Sequence, residues 1–294
     1  MQIGVVFPQL EIGNDPVAIR DYAQAAESLG YDHLLVYDHV LGANRETHEW
    51  LRGPYRHPDA FHEPFVLFGY LAGLTQKIEL VTGILILSQR QTALVAKQAV
   101  EVDVLSGGRL RLGIGIGWNS VEYEALNEDF TNRGRRSEEQ IELMRALWTN
   151  DLVTFKGRWH TITDAGINPL PVRRPIPIWF GGYDDRVLRR IGRIGDGWII
   201  AGGGNTPTPE VERVKGYTQD AGRDPSTMGF EKVIGYGDST LGKGIETVRE
   251  WEDAGVTHLS LNTMNSGLAT PSDHITAIRR FRKALAEEYP CPNC

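Results

Sequence analysis

Eight times along the chain, a short apolar run gives way to a longer stretch whose apolar residues recur at helical spacing. Strict alternation of strand and helix requires a parallel sheet, and right-handed crossovers then place the helices on its faces. The first unit joins residues 3–7 to 15–30, where Val17, Ile19, Tyr22, Ala23, Ala26 and Leu29 share one face and Gly30 ends the helix. The next three join 33–37 to 63–75, 78–87 to 92–105, and 109–116 to 134–149. The last four join 177–180 to 185–194, 197–201 to 209–221, 230–235 to 240–254, and 258–262 to 272–288.

A doubly wound open sheet would carry a Gly-rich turn after its first strand. Here Pro8-Gln9-Leu10-Glu11 occupies that position and offers no phosphate cradle. Eight units without a breakpoint specify an α/β fold, a (β/α)8 TIM barrel, with residues 1–294 as one domain. Two insertions interrupt it. Residues 40–62, after the second strand, carry Trp50, Tyr55 and Phe61, too aromatic for a disordered loop, and are expected to form a lid or pocket wall. Residues 150–174, after the fourth helix, are expected to form a ribbon or excursion covering part of the barrel.

Composition removes several classes of function. A net charge of −7 leaves no basic surplus for a general nucleic-acid binder. The chain starts directly on a strand, and no run of about 20 apolar residues spans a membrane. The only cysteines, Cys291 and Cys294, sit in the terminal Cys-Pro-Asn-Cys and read as an inert tail. Their absence elsewhere excludes a disulfide framework and fits a cytoplasmic protein. The histidines lack metal-ligand spacing, so no metal is expected.

In a barrel, chemistry sits at the C-terminal ends of the strands. Asp38 and His39 end the second strand: a carboxylate that can anchor a polar edge, beside an imidazole that can move a proton. The bland reading is a turn cap beside a solvent histidine; their place in the barrel favours function. Gly83-Ile84 interrupts an apolar strand, as happens at a bulge or where a ligand presses on the backbone. Gly113-Ile114-Gly115-Ile116-Gly117-Trp118 lacks dinucleotide-fingerprint spacing and instead lines the mouth with small residues. Gly181-Gly182-Tyr183 and Gly202-Gly203-Gly204 end neighbouring strands and expose amides suited to one phosphate. Arg186, Arg189, Arg190 and Arg193 lie between them as a charged stripe.

These segments resemble the luciferase-like monooxygenase superfamily, in particular its coenzyme F420-dependent oxidoreductase branch. The resemblance covers nearly the whole chain and rests also on Ala96-Lys97-Gln98-Ala99, Leu105-Ser106-Gly107-Gly108-Arg109, Trp179-Phe180-Gly181-Gly182 and Gly195-Asp196-Gly197-Trp198. It implies that Asp38 and His39 face a flavin-type ring, and that Gly83–Ile84 matches the family's non-prolyl cis peptide behind it. Gly182 and Tyr183 would then meet the cofactor phosphate. The implied activity is hydride transfer between F420 and a small organic substrate, with His39 as acid or base. The alternative is an FMN-dependent monooxygenase using reduced flavin and O2. A third reading is a non-catalytic flavin-binding protein, against which the intact Asp38-His39 pair counts. Trp118 stands where the branch's sugar-phosphate dehydrogenases carry a proton-carrying glutamate, which points away from sugar-6-phosphate oxidation. The expected assembly is a homodimer.

Overall fold

Strand β1 (Gln2–Val6) pairs in parallel with β2 (His33–Val36) on one side and with β11 (His258–Asn262) on the other. From β2 the ring continues through β3 (Glu79–Thr82) and β5 (Leu110–Gly115) to β8 (Ile178–Gly181). It then passes through β9 (Gly197–Ala201) and β10 (Gly229–Gly235) and closes on β11. The result is the eight-stranded parallel barrel expected from the alternation. This computed structural model describes residues 1–202, 209–237, 241, 244–286 and 289.

The run 78–87 does not stay one strand. It divides at Gly83–Ile84, whose peptide bond is cis, and a two-residue strand, β4 (Leu85–Ile86), resumes beside β5. Burial follows the two-residue period of the strands. Val6, Leu35, Val81, Trp179 and Ile199 point into the barrel with Met264, while Ile3, Val5, Leu34 and Leu80 face the helical shell.

The helices around the barrel start where their caps dictate. In α1 (Pro16–Ser28), the Asp15 side chain accepts the Val17 amide and Pro16 opens the first turn. Helix α2 (Pro64–Ala72) begins on Glu63, and α3 (Thr92–Ser106) ends on Gly107 in the left-handed region. A short helix that the periodicity does not signal, α4 (Ser120–Ala125), precedes α5 (Arg133–Thr149). Helices α6 (Asp185–Ile194), α7 (Glu210–Asp220), α8 (Gly244–Asp253) and α9 (Pro271–Leu285) complete the shell.

The second insertion is an antiparallel ribbon, β6 (Val153–Lys156) and β7 (Thr161–Ala165). The Glu139 carboxylate of α5 gathers the amides of Arg158, Trp159 and His160 at its tip. His160 Nε2 lies 2.7 Å from Thr92 Oγ1 at the start of α3. The ribbon therefore packs on the outside of the helical layer, on α5 and α3. No helix among the described residues is long and apolar enough to cross a membrane.

Candidate active site

Segments just past β2, β4, β5 and β8 build the mouth. Asp38, immediately past β2, is buried and both of its oxygens are engaged. Oδ1 accepts from Arg90 Nη2 at 2.8 Å and Oδ2 from the Ile86 amide at 3.0 Å. Arg90 also donates to Glu63 at 2.8 Å, so one guanidinium ties the ends of β2 and β4 to the start of α2. Burial pushes the Asp38 carboxyl up, and Arg90 pulls it back.

His39 is placed differently. Its Nδ1 lies 3.1 Å from Glu122 Oε2, and the other oxygen of Glu122 accepts the amides of Val40 at 2.7 Å and Leu41 at 3.0 Å. A neutral His39 that donates from Nδ1 to this carboxyl group keeps Nε2 unprotonated. Nε2 is then the acceptor, and it has no hydrogen-bond partner among the described residues. Asn119 sets Glu122 in place: its Oδ1 caps α4 through the Val121 amide, and its Nδ2 donates to the Leu41 carbonyl at 3.0 Å.

Aromatic rings surround the imidazole. Tyr55, Phe61 and Trp118 lie edge-on with centroids 5.1, 4.9 and 5.5 Å away. The first two come from loop 40–62, which therefore forms a wall of the mouth. That loop also rests on Trp118, since a Cβ at Gly53 would fall 2.3 Å from its ring. Burial raises the Tyr55 phenol to about 12, with Asp59 and Glu11 adding to it.

Opposite, the Ile84 side chain lies against Gly115 and Gly181. A Cβ at those positions would come within 2.4 and 2.9 Å of it. Ile116 accepts a hydrogen bond from the Tyr123 hydroxyl at 2.7 Å, which fixes the end of the small-residue strip. Beyond β8, Gly182 has φ +118°, a conformation that side chains rarely adopt, and its carbonyl accepts Trp198 Nε1 at 2.9 Å. Tyr183 packs 5.8 Å from Trp198, and Asp184 caps α6 through the Arg186 amide. The Gly202 carbonyl accepts Lys232 Nζ at 2.7 Å. Gly203 and Gly204 lie outside the described residues, as do Cys291 and Cys294.

The arginine stripe is largely spent inside the protein. Arg189 pairs with Asp185 at 2.8 Å, while Arg190 and Arg193 both reach Glu138, at 2.7 and 2.6 Å. Hydrogen bonds from Tyr217 and Arg189 pull the Asp185 carboxyl down to about 2. Sequence reasoning missed Glu122 and gave Arg90 no role. Asn119-Ser120-Val121-Glu122 does carry a signal, the spacing of a capping box, but that pattern predicts a carboxylate turned back on its own helix. Here the carboxylate turns to His39 and the loop.

Comparison with known proteins places the chain in a family. A family described as luciferase-like monooxygenase matches residues 1–259. An uncharacterised protein of Mycobacterium tuberculosis is 35% identical over 246 residues, 80% of this chain and 81% of that one. An F420-dependent glucose-6-phosphate dehydrogenase of Amycolatopsis mediterranei is 33% identical over 64% of this chain and 54% of its own. An FMNH2-dependent dimethylsulfone monooxygenase of Pseudomonas putida is 28% identical over 74% of this chain and 55% of its own. The solved structure of an F420-dependent secondary alcohol dehydrogenase superposes with a TM-score of 0.74 at 20% identity, covering 97% of this chain and 98% of that one. Relatives thus divide between F420 and FMN.

Proposed function

Because the chain belongs to the luciferase-like monooxygenase family, we propose that it passes hydride between coenzyme F420 and a small organic substrate. The observation that carries this reading is His39, backed at Nδ1 by Glu122 and unpartnered at Nε2. Interconverting an alcohol and a carbonyl moves a hydride and a proton together. Nε2 takes the hydroxyl proton in one direction and returns it in the other. Glu122 holds the ring and its tautomer, and Asp38 holds Arg90 and the Ile86 amide.

The residues fit a flat cofactor ring. Ile84 fills the space that a side chain at Gly115 or Gly181 would take, leaving backbone and one aliphatic surface for a ring to rest on. Gly83, Ile84, Ile116 and Gly181 would hold that face. Gly182, Tyr183 and Gly202 would meet the phosphate. A bound deazaflavin supplies a carbon that accepts or donates hydride and does not readily activate oxygen.

One observation favours FMN instead. Arg189, Arg190 and Arg193 are already paired with carboxylates, so only Arg186 of that stripe is left for the anionic tail that distinguishes F420. Titrating the protein separately with F420 and FMN separates the two readings. F420 is expected to raise the melting temperature more, because a ligand specific to the native state stabilises it. The reduced complex should also survive in air. Preferential binding of FMN, with oxygen consumed on adding substrate, replaces the F420 reading with a monooxygenase.

The homodimer belongs to the same proposal. Helix α2 is apolar around its whole circumference, with Val66 72% exposed, and Leu94 on α3 is 54% exposed. Sedimentation should give twice the mass of one chain. A cytoplasmic location fits a chain with no cysteine before Cys291.

A further inference from the structure

At the end of the barrel opposite the mouth, the N-terminal ends of β8, β10 and β11 border an open cleft of about 660 Å³. Trp179 and His258 line it, together with Pro177, Met228 and Arg173. The two rings meet edge to face, with centroids 4.8 Å apart. Trp179 is held firmly: Arg111 stacks 4.2 Å over its ring, and a Cβ at Gly197 or Gly229 would fall 2.3 or 2.0 Å from it. Its Nε1 has no hydrogen-bond partner among the described residues, yet it is not closed off from water. An indole N–H on so deeply buried a ring usually has a partner.

His258 offers the complementary group. Its Nδ1 lies 2.7 Å from Thr257 Oγ1, and that hydroxyl donates to the Phe230 carbonyl at 3.1 Å, so it accepts from Nδ1. Burial and, after it, Arg111 keep the imidazole neutral, and Nε2 is then an acceptor. Like the indole nitrogen, Nε2 has no partner among the described residues and is open to water. A donor and an acceptor thus stand on adjoining rings at one cleft. The charges nearby are already paired, Arg173 with Glu79 at 3.1 Å and Asp196 with Arg145 at 3.0 Å. Arg111 is flanked by Glu79 and Glu231. The cleft therefore suits an uncharged ligand, and Pro177 and Met228 give it apolar walls.

We propose that this cleft is a second small-molecule site, which takes an uncharged cyclic amide: Trp179 Nε1 donates to the ligand's carbonyl oxygen and His258 Nε2 accepts from its N–H. Neither residue takes part in the hydride-transfer reading, so the site stands or falls apart from it. 2-Pyridone is a suitable probe. Its control is N-methyl-2-pyridone, which keeps the ring and the carbonyl but lacks the N–H. In the full chain labelled with 15N-tryptophan, the Trp179 indole resonance is assigned through its proximity to the Gly197 and Gly229 protons. It should move on adding 2-pyridone, and the titration gives the affinity. N-methyl-2-pyridone should bind about tenfold more weakly. His258→Phe, which keeps a ring against Trp179, should weaken 2-pyridone about tenfold and change N-methyl-2-pyridone by less than about threefold.

A Trp179 resonance unmoved by 2-pyridone overturns the proposal. So does N-methyl-2-pyridone that binds as tightly as 2-pyridone, or a folded His258→Phe variant that binds 2-pyridone unchanged. The first two measurements use the unaltered protein, so they decide the matter even if the variant does not fold. Movement confined to the Trp118 indole would place the ligand at the mouth and overturn the proposal as well. Failure of F420 and FMN to bind would remove the oxidoreductase reading and leave all of these results as they are.

Discussion

At the lower end of the barrel, Arg111 lies between Glu79 at 2.8 Å and Glu231 at 2.6 Å, and stacks 4.2 Å over Trp179. Glu231 also takes the Ser260 hydroxyl at 2.6 Å and lies 2.9 Å from His33 Nε2. At the mouth, by contrast, His39 has one polar partner and an open Nε2, and Glu11 has one partner and an open Oε2. Both ends bury acids beside histidines. The lower set pairs opposite charges with one another, with Arg111 Nη2 and His33 Nδ1 left without hydrogen-bond partners: against burial, Arg111 and His33 hold the Glu231 carboxyl far below the ordinary range. Among the described residues, the upper set has no arginine against His39 or Glu11, only one polar partner for each. Opposite charges paired inside the barrel belong to the fold, whereas an imidazole with an open nitrogen at the strand C-termini stands where a barrel places its ligands.

The contrast can be broken first at the mouth. His39→Ala should lower turnover by about 10²–10⁴-fold, the range for a lost acid or base, with cofactor affinity and melting temperature little changed. Near-normal turnover would make His39 a bystander and remove the functional half of the comparison.

The reciprocal experiment is Glu231→Gln, which leaves Arg111 half-compensated in the barrel. Denaturant unfolding should show a loss of about 3–5 kcal/mol, while turnover per folded molecule is retained. Selective loss of turnover in a variant of normal stability would make the lower cluster part of the site.

Gly182→Asp tests the cofactor turn, where a carboxylate would face the phosphate and φ is strained for any side chain. Affinity for the cofactor should fall about tenfold or more, exceeding any loss of fold stability. Unchanged affinity in a folded variant moves the phosphate elsewhere.

The smallest effect concerns His258, which burial, and then Arg111, push down to about 3. Unfolding returns it to about 6.5, so the unfolded chain binds the extra proton between those values. Stability should be level above pH 6.5 and decline as pH falls below it. The decline should be on the order of 1 kcal/mol between pH 7.5 and 5.5, and His258→Gln should flatten it. A variant that keeps the full slope assigns the proton to another group.

The barrel was legible because eight apolar runs and eight helical periods are each local patterns, and alternation leaves few ways to join them. His39 was legible from its place at a strand end. The division of the run 78–87 was anticipated only through Gly83–Ile84, since β-branched residues on both sides read as one strand. Glu122 was hidden because its partner lies 83 positions earlier, and nothing local distinguishes an acid that caps its own helix from one that reaches across a barrel. The arginine stripe misled for a similar reason. Spacing marks one face of α6, but Glu138, which occupies two of its arginines, comes from α5.

Glu122 holds three things at once: the imidazole of His39 and the amides of Val40 and Leu41, the first two residues of loop 40–62. Asn119 adds a fourth hold, on the Leu41 carbonyl. The root of the loop and the His39 imidazole therefore share a single anchor. Any swing of Tyr55 and Phe61 away from the mouth that leaves His39 oriented has to pivot beyond Leu41. A movement that begins nearer the strand unseats the imidazole along with the loop.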